Sequence, residues 1–389
     1  MTKKITLGVT GSIAAYKAAE LASALTQAGH DVHVVLTKNA AAFISPLTFE
    51  TLTRNKVYCD MFSDEDHTQV THIDLGTTSD LILVAPASYN ILGKAAHGLA
   101  DDLLSSILAA AQPEKIVFAP AMNVNMYNNP ACQANVATLL SRDCKLVEPE
   151  EGLLACGVMA KGRLARVPAI LEAVEAFFCP QTMKGQRVLI TAGATREYLD
   201  PIRFISNSSS GQMGVSLARA CRNRGALVTL ILANSPLALD GVDLIRVDTV
   251  ADMAAAAILA FEKCDWLFAA AAVSDFKPVS RSETKIKKDG AGLTIQLEAN
   301  TDILRELGQR KNKQKMIGFA AESENLIENA KGKMKRKNLD LIVANYLENF
   351  AAAEGRVWII SNEQTLELPK QDKASLTESI VDTALELLA

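Results

Sequence analysis

Residues 4–38 read KITLGV, TGS, IAAYKAAELASALTQAG and HDVHVVLTK, and this stretch decides the fold. Its first and last segments are apolar runs of strand length, and the third has the length and apolar spacing of a helix. Gly29 closes the helix, as glycine commonly does just after a last helical turn. Uninterrupted apolar strands are typical of a parallel sheet that is buried on both faces. The stretch therefore predicts a strand–helix–strand unit of a doubly wound α/β fold.

The second half of the chain opens in the same way. QRVLITAG and ALVTLILA read as strands, separated by a long loop and the helical GVSLARACRNRG. Further strands are predicted at LILVAP, KIVFAP, DWLFAAAAV, KMIGFAAE, LDLIVANY and RVWIIS, the last as an edge strand of a hairpin. Because helical stretches alternate with these strands, we expect parallel sheets throughout. The segment FFCPQTMKGQR has the Pro and Gly of a domain junction, which predicts two doubly wound α/β domains at 1–183 and 184–389.

The composition excludes several classes of protein. A chain of 389 residues that is 49% apolar can bury two cores, and a net charge of −4 argues against a general nucleic-acid or membrane-surface binder. We expect neither a secretory signal nor a membrane-spanning segment. Seven cysteines without a C-x-x-C pair indicate reduced thiols and a cytoplasmic protein. All five histidines precede residue 100, so the second half has no histidine base of its own.

Three loops of the first half follow predicted strands, where ligands of open parallel sheets bind. They are TGSIA, TKNAA and PASYNILGKAAHGLADDLL. Gly11 and Ser12 stand at a helix N-terminus, whose free N–H groups favour a phosphate. The loop is neither G-x-G-x-x-G nor a Walker A sequence, so a tight turn with an N-cap explains these two residues equally well.

Four segments of the first half, taken in order, carry a more specific signal: GVTGSIAAYKA, PASYNILGKAAHGLADDLL, PAMNVNM and ACGVMAKGRL. Over residues 1–180 they resemble the flavin-dependent cysteine decarboxylase family. The resemblance implies FMN as cofactor, held by Gly11, Ser12, Ile13, Thr37, Ser88 and Asn90. It also implies a catalytic histidine at His72, substrate binding by Asn123 and Met126, and a flap cysteine at Cys156.

That family's chemistry explains why these residue types are needed. The flavin oxidises the substrate's cysteine thiol to a thioaldehyde, carbon dioxide leaves, and the remaining enethiolate is reduced and protonated on carbon. A thiol such as Cys156 can donate that proton when its pKa lies near neutrality. Taken singly, the same residues have simpler interpretations: His72 as a surface imidazole, Cys156 as a small buried residue and Asn123 as a loop cap.

The second half contains a long polar connection, TAGATREYLDPIRFISNSSSGQMG, which is typical of an anion or nucleotide cradle. Asp275 and the lysines of KIKK follow a strand of alanines, and strand alternation would put Lys285 and Lys287 on one face. Lys333 and Lys337 are spaced to share a helix face. Each lysine set, by itself, is equally typical of a solvated surface.

The segments SNSSSGQMG, AAAVSDF, KIKK, GFAAE and KNLDLIVAN resemble phosphopantothenate–cysteine ligase across residues 184–389. The whole chain thus resembles the bifunctional coenzyme A biosynthesis flavoproteins. The resemblance implies CTP with Mg²⁺, and 4′-phosphopantothenate and L-cysteine as substrates. Asn207 would contact the acyl-cytidylate intermediate, and Lys285 the triphosphate. The rest of the implied site comprises Ala271, Ala272, Asp275, Asn300, Asp302, Ile303, Phe319, Lys333 and Lys337.

The resemblance also implies an assembly, and it has one departure. It predicts homo-oligomers, with decarboxylase trimers joined into a dodecamer, FMN at a trimer interface, and ligase dimers. No metal ligands are assigned. ANTDI stands where relatives often have Lys–Asn–Pro–Asp, so a basic side chain is absent at Ala299.

Two other functions remain as alternatives. One is a flavoprotein electron carrier with a nucleotide-binding regulatory domain, which would not need Cys156. The other is a non-enzymatic binding protein of the phosphatase-inhibitor type. Such proteins tend to have acidic tails, whereas this chain ends in the amphipathic SLTESIVDTALELL.

Overall fold

The computed structural model describes residues 2–62, 70–153, 159–288, 293–346 and 354–388. The chain divides into two units, Met1–Phe178 and Cys179–Ala389. Within the described ranges, no helix is both long enough and apolar enough to cross a membrane.

The first unit is built on a parallel sheet. Its strands are β1 (Lys4–Val9), β2 (Asp31–Leu36), β3 (Val57–Tyr58), β4 (Leu81–Ala87), β5 (Ile116–Pro120), β6 (Lys145–Leu146), β7 (Glu150–Leu153) and β8 (Met159–Arg163). Its helices are α1 (Ala15–Gln27), α2 (Lys38–Ala41), α3 (Pro46–Thr53), α4 (Thr71–Thr78), α5 (Tyr89–His97), α6 (Leu103–Ala110), α7 (Val124–Tyr127), α8 (Pro130–Ser141) and α9 (Val167–Phe178), with a 3-10 turn at Pro113–Lys115.

The strand order explains where a ligand can enter this unit. In the described residues the sheet runs β3-β2-β1-β4-β5-β6 with every pair parallel, while β7 and β8 form a separate antiparallel hairpin. The chain winds outward from β1 in one direction and from β4 in the other, so the topological switch point lies between these two strands. Loops after β1 and β4 therefore diverge and leave a crevice at the carboxyl edge of the sheet.

Apolar residues on both faces of this sheet explain why its strands lack polar alternation. One face packs against α1, α3 and α9, and the other against α4, α5, α6 and α8. Ile5, Leu7 and Val9 of β1 are fully buried, and so are all seven residues of β4. Burial on both sides makes the hydrophobic effect the main force that holds these layers together.

The second unit repeats this architecture with additions. Its strands are β9 (Arg187–Gly193), β10 (Arg196–Tyr198), β11 (Phe204–Ser206), β12 (Leu227–Ala233), β13 (Asp243–Val247), β14 (Trp266–Ala269), β15 (Phe276–Pro278), β16 (Leu297–Ala299), β17 (Lys315–Glu322), β18 (Leu341–Tyr346), β19 (Glu354–Ile360) and β20 (Thr365–Asp372). Its helices are α10 (Gln212–Asn223), α11 (Val250–Phe261), α12 (Ile303–Arg310), α13 (Leu326–Arg336) and α14 (Lys373–Leu388).

Its main sheet runs β13-β12-β9-β14-β17-β18-β19-β20 in the described residues. The strands from β13 to β18 are parallel, and the switch point lies between β9 and β14. Helices α10 and α14 cover one face, and α11, α12 and α13 cover the other. The two-domain, doubly wound α/β prediction is thus confirmed as a fold class.

Three details of the predicted sheet are wrong. The sheet is not parallel throughout, because β18, β19 and β20 pair antiparallel, and β20 rather than β19 is the edge strand. The connection 347–353 is shorter than the crossover of about a dozen residues that parallel neighbours need. The predicted strand DWLFAAAAV ends at Ala269, after which the alanines lead into a loop.

Gly193 offers a test of how closely the carboxyl ends of the neighbouring strands β9 and β12 are packed. It has φ +80°, and a Cβ there would lie 1.9 Å from the Ala233 carbonyl oxygen. Gly193→Ala should therefore reduce the free energy of unfolding by at least about 4 kcal/mol. Gly185→Ala is the matched control, because Gly185 has φ +78° with no described atom within 4 Å of its Cβ position, and it should cost only about 1–2 kcal/mol.

Urea unfolding monitored by tryptophan fluorescence reports on the second unit alone, because the chain's two tryptophans, Trp266 and Trp358, both lie in it. Equal losses in the two variants would show that the strand ends are not in close contact.

Candidate active sites

A buried threonine hydroxyl connects the two loops at the switch point of the first unit. Thr10, directly after β1, is 2% exposed. Its hydroxyl donates to the Pro86 carbonyl at 2.7 Å and accepts from the Ser88 N–H at 2.9 Å. The loop after β1 is thereby fixed to the residue that begins the loop after β4.

The loop beyond Thr10 presents backbone donors. In the described part of the chain, the N–H groups of Gly11, Ser12 and Ile13 donate no hydrogen bond, and they precede the helix α1. A Cβ on Gly11 would lie 2.5 Å from the Cβ of Asn39, so only glycine allows this approach. Free N–H groups at the start of a helix bind anionic groups, and the residues present therefore fit a phosphate.

The other residues predicted to hold the cofactor surround this loop. Thr37 follows β2 and caps α2 by accepting from the Ala40 N–H at 3.3 Å, and its own N–H donates to the Val9 carbonyl at 3.1 Å. Ser88 is at the N-cap position of α5 without a side-chain hydrogen bond to the helix, and the second residue of α5 is the exposed Asn90. All of them lie at the carboxyl edge of the sheet.

Asn123 and Met126 lie at the same edge, beyond β5. Asn123 caps α7 by accepting from the Asn125 N–H at 2.8 Å, and Met126 is 44% exposed. The Met122 N–H donates to the Gly162 carbonyl of β8 at 3.0 Å. This bond joins the Asn123 loop to the base of the hairpin that would carry the predicted flap.

The structure does not connect two predicted catalytic residues to this group. Cys156 lies outside the described residues. His72 is half-buried in the first turn of α4, a helix whose other end is tied to Lys4 at the start of β1 by a 2.6 Å bond from the lysine amine to Thr78. Between described residues, no hydrogen bond joins His72 to the loops after β1 or β5.

A buried threonine hydroxyl also connects the two loops at the switch point of the second unit. Thr195, two residues after β9, is fully buried, and its hydroxyl accepts from the Ser274 N–H at 3.0 Å. The Ala272 N–H donates to the Gly193 carbonyl at 2.8 Å. The loops after β9 and β14 are therefore joined as the loops after β1 and β4 are.

A chain of contacts then links most of the predicted residues of this unit. The Asn207 amide donates to the Val273 carbonyl at 3.1 Å, beside Ala271 and Ala272. The Asn300 N–H donates to the Asp275 carbonyl at 2.8 Å. Two residues on, Asp302 caps α12, while the side chain of Ile303 is buried in the apolar core.

Two lysines extend this series of contacts: Lys333 on α13 and Lys337 at the end of that helix. The Lys337 amine lies 3.0 Å from an Asp302 carboxylate oxygen, and the Lys333 amine donates to the Phe319 carbonyl at 2.8 Å. Burial is the largest cause that lowers the pKa of Lys333, and the Lys337 ammonium lowers it further. The carboxylates of Glu322, Asp275 and Asp302 act in the opposite direction.

Lys285 is exposed, but it is not on a strand, so the predicted alternation of KIKK is wrong. Residues 285–288 belong to no sheet because side chains occupy the backbone groups of Ile286. The Ile286 N–H donates to an Asp200 carboxylate oxygen at 3.1 Å, and the Ile286 carbonyl accepts from the Arg203 guanidinium at 3.1 Å.

The sequence interpretation missed Thr10, Thr195 and Asp200. A threonine within two residues of the first strand of each half was a visible shared signal. The Asp–Pro dipeptide at Asp200 marks a turn, but it does not indicate what the carboxylate holds.

Comparison with known proteins gives matches over both units. A family model described as Flavoprotein matches residues 1–179, and one described as DNA/pantothenate metabolism flavoprotein C-terminal domain matches residues 183–388. The chain is 43% identical over 360 residues to the coenzyme A biosynthesis bifunctional protein CoaBC of Bacillus subtilis strain 168, with 91% of this chain and 88% of that protein covered.

The chain is also similar to a second curated protein and to a solved domain structure. Over 359 residues the chain is 41% identical to a cysteine/cysteine sulfinic acid decarboxylase from an unknown prokaryotic organism, with 89% of this chain and 99% of that protein covered. A crystal structure of the C-terminal domain of a coenzyme A biosynthesis bifunctional protein CoaBC covers 54% of this chain and 98% of its own, at 34% identity and a TM-score of 0.47.

The threonine at the second switch point can be tested by removing only its hydroxyl. Thr195→Val leaves the buried Ser274 N–H without an acceptor and should reduce the free energy of unfolding by about 1–3 kcal/mol. Thr195→Ser keeps the hydroxyl and removes one methyl group, which should cost less than about 1 kcal/mol. Both are measured by urea unfolding with tryptophan fluorescence. A serine variant that is as unstable as the valine variant would contradict a role for the hydroxyl.

Proposed function

The chain belongs to the family of coenzyme A biosynthesis bifunctional proteins, which combine a decarboxylase with a ligase, and we propose how its two units divide the work. The second unit joins 4′-phosphopantothenate to L-cysteine at the expense of CTP. The first unit, with FMN, decarboxylates the resulting 4′-phosphopantothenoylcysteine to 4′-phosphopantetheine. We place the boundary between the activities at Met183–Lys184.

The observation that carries this proposal is the pair of switch-point crevices, one in each unit, each with its own polar residues. The first crevice has free N–H groups and hydroxyls but no described lysine in its loop after β1. The second contains Lys333, which donates to the Phe319 carbonyl, and Lys337, which pairs with the Asp302 carboxylate. Backbone donors suit a monophosphate cofactor, whereas a triphosphate needs cationic side chains.

In the first unit, FMN is the cofactor that the residues fit. Gly11, Ser12 and Ile13 would hold its phosphate with their N–H groups, and Thr37, Ser88 and Asn90 would surround the rest. When bound, FMN supplies the redox chemistry that makes loss of carbon dioxide possible. Every other step depends on side chains of this chain.

Four side chains would carry those steps. The Asn123 amide would orient the substrate carboxylate, because a neutral donor binds it without an ion pair that would hold it in place, and Met126 would pack against the substrate. His72 would accept the thiol proton at the start, and Cys156 would return a proton to carbon at the end. These four assignments rest on the family resemblance.

In the second unit, charge neutralisation replaces acid–base chemistry. The 4′-phosphopantothenate carboxylate attacks the α-phosphorus of CTP, pyrophosphate leaves, and the cysteine amine then displaces CMP to form the amide. Lys285, Lys333 and Lys337 would neutralise the phosphates, and Asn207 would donate to the acyl-cytidylate. Ala271, Ala272, Asn300, Asp302, Ile303 and Phe319 would form the walls of the nucleotide pocket.

Mg²⁺ would enter with CTP. Among the described residues no group of three or more His, Cys, Asp or Glu is arranged to hold a metal. Mg²⁺ commonly takes one or two carboxylates and fills its remaining positions with phosphate oxygens and water. Asp275, which is exposed at this edge of the sheet, would be the protein's carboxylate.

We also propose an oligomer and a location. Three apolar side chains are each more than 60% exposed: Ile13 in the loop after β1, Tyr16 on α1 and Leu47 on α3. Exposed apolar groups of this kind mark contact surfaces. They would support trimers of the first unit within a dodecamer, while the second unit would form dimers. Six described cysteines are free thiols, which suits the cytoplasm.

The test supplies the purified protein with 4′-phosphopantothenate, L-cysteine, Mg²⁺ and either CTP or ATP. We expect 4′-phosphopantetheine, carbon dioxide and one pyrophosphate per turnover, with CTP preferred, as measured by mass spectrometry and a pyrophosphate assay. L-cysteine alone is the control that the cysteine decarboxylase relative suggests. Carbon dioxide from L-cysteine without CTP, and no phosphorylated product, would overturn the proposal.

Lys285 tests the independence of the two activities. Lys285→Gln removes a cation from the triphosphate and should slow CTP-dependent pyrophosphate release about a hundredfold to a thousandfold. Decarboxylation of supplied 4′-phosphopantothenoylcysteine should be unchanged, because its residues belong to the other unit. Both half-reactions are measured on one preparation. Unchanged pyrophosphate release would mean that Lys285 is a solvated surface lysine.

His72 should affect only the other half-reaction. His72→Asn keeps a hydrogen-bonding side chain but removes the proton acceptor, so the flavin absorbance of the loaded protein should stay oxidised when 4′-phosphopantothenoylcysteine is added. A stopped-flow absorbance trace follows this directly, and Cys156→Ser is the contrasting variant, in which the flavin should bleach and stay reduced. Wild-type bleaching followed by normal turnover in His72→Asn would remove His72 from the mechanism.

A further inference from the structure

Asp200 is a fully buried carboxylate that none of the chemistry above uses. It lies between β10 and β11, in the long connection that follows β9. A buried charge is unfavourable unless hydrogen-bond donors surround it, so its partners show what it holds in place.

Four donors point to this carboxylate. One oxygen accepts from the N–H groups of Ile202 at 2.8 Å and Arg203 at 2.7 Å. The other oxygen accepts from the Arg203 guanidinium and from the Ile286 N–H, each at 3.1 Å. The Arg203 N–H is the largest cause that lowers the pKa of Asp200, and the N–H groups of Ile202 and Ile286 lower it further although burial opposes them.

The two oxygens thus serve two different segments. The first shapes the turn between β10 and β11, whereas the second reaches the segment that contains Lys285. Two further bonds close the same junction: the Ser282 N–H donates to the Leu199 carbonyl at 2.9 Å, and the Arg203 guanidinium donates to the Ile286 carbonyl at 3.1 Å.

These hydrogen bonds hold the backbone of residues 282–286, as strand pairing would in a sheet. Residues 282–286 have no strand partner among the described residues, so the hairpin tip is what fixes their backbone. Lys285 is directly before Ile286, and its long side chain is exposed. The position of its ammonium group therefore depends on where the Ile286 peptide is held.

We propose that Asp200 is a positioning residue for ligation, which holds the Ile286 backbone so that Lys285 reaches the nucleotide phosphates. This inference rests on the proposed ligase function and adds to it a residue that touches neither substrate nor reacting atoms. A charged group that is misplaced by about 1 Å can cost a hundredfold in rate, so a backbone anchor at this point has kinetic consequences.

Asp200→Asn is the decisive variant. The amide has the same shape but only one oxygen, so it cannot accept from both segments at once. Pyrophosphate release from CTP should slow about tenfold to a hundredfold. Decarboxylation of supplied 4′-phosphopantothenoylcysteine should be unchanged. Asp240→Asn is the matched control, because Asp240 is an exposed aspartate of the same unit and loses the same charge.

A double-mutant cycle separates positioning from general damage. If Asp200 acts through Lys285, adding Asp200→Asn to Lys285→Gln should slow the reaction less than about twofold further, because the group being positioned is already gone. Two rate losses that multiply would show that Asp200 acts independently of Lys285, and that result would overturn the proposal. Tryptophan fluorescence of both variants confirms that the second unit is folded.

Hydrogen–deuterium exchange gives a readout that needs no activity. In Asp200→Asn, peptides covering 199–203 and 282–286 should exchange faster than in the wild type, whereas the peptide covering β9 should not change. Unchanged exchange in both segments would contradict the anchoring role even if ligation slowed. If the wild type releases no pyrophosphate from CTP, the ligase proposal fails, but the exchange result still decides whether Asp200 anchors Ile286.

Discussion

In each unit, a hydrogen bond from a backbone N–H to a buried threonine hydroxyl joins the two loops at the switch point of the sheet. At a switch point the chain leaves in opposite directions, so nothing in the winding itself keeps the two loops together. Two threonine hydroxyls supply that link: Thr10 accepts from the Ser88 N–H at 2.9 Å, and Thr195 accepts from the Ser274 N–H at 3.0 Å. Both hydroxyls are buried, and there a lost partner costs more than it would in water.

The two crevices beside these bonds contain different chemical groups. The first provides backbone N–H groups at the start of α1, and glycine at Gly11 lets the loop lie against Asn39. The second provides two lysines, Lys333 and Lys337, and the Asp302 carboxylate, which pairs with Lys337. We propose that this common frame supports decarboxylation in the first unit and ligation in the second, because the side chains on the loops differ while the frame does not.

The sequence was informative where burial determines the structure. Apolar runs such as KITLGV and KMIGFAAE predicted strands that the structure contains, because a strand buried on both faces must be apolar along its whole length. The hairpin predicted at RVWIIS is present as β19 and β20, but the antiparallel pairing of β18 with β19 was missed, since periodicity does not give the direction of a strand.

The site was less predictable than the fold. The KIKK segment alternates like a strand, yet it is not one, because Asp200 and Arg203, more than eighty positions earlier, occupy its backbone groups. Such a contact between two loops leaves no local pattern. Family resemblance gave the residues at the carboxyl edges, and the structure brings together most of those that it describes, but the roles of all of them stay predictions.

The central claim is that one chain performs a nucleotide-driven ligation and then a flavin-dependent decarboxylation of its own product. The most direct measurement follows pyrophosphate and carbon dioxide in the same reaction with carboxyl-labelled L-cysteine, 4′-phosphopantothenate, CTP and Mg²⁺. We predict that pyrophosphate appears first, that labelled carbon dioxide follows after a lag, and that the two reach equal amounts. Labelled carbon dioxide that forms without CTP, or without any lag behind pyrophosphate, would contradict the account.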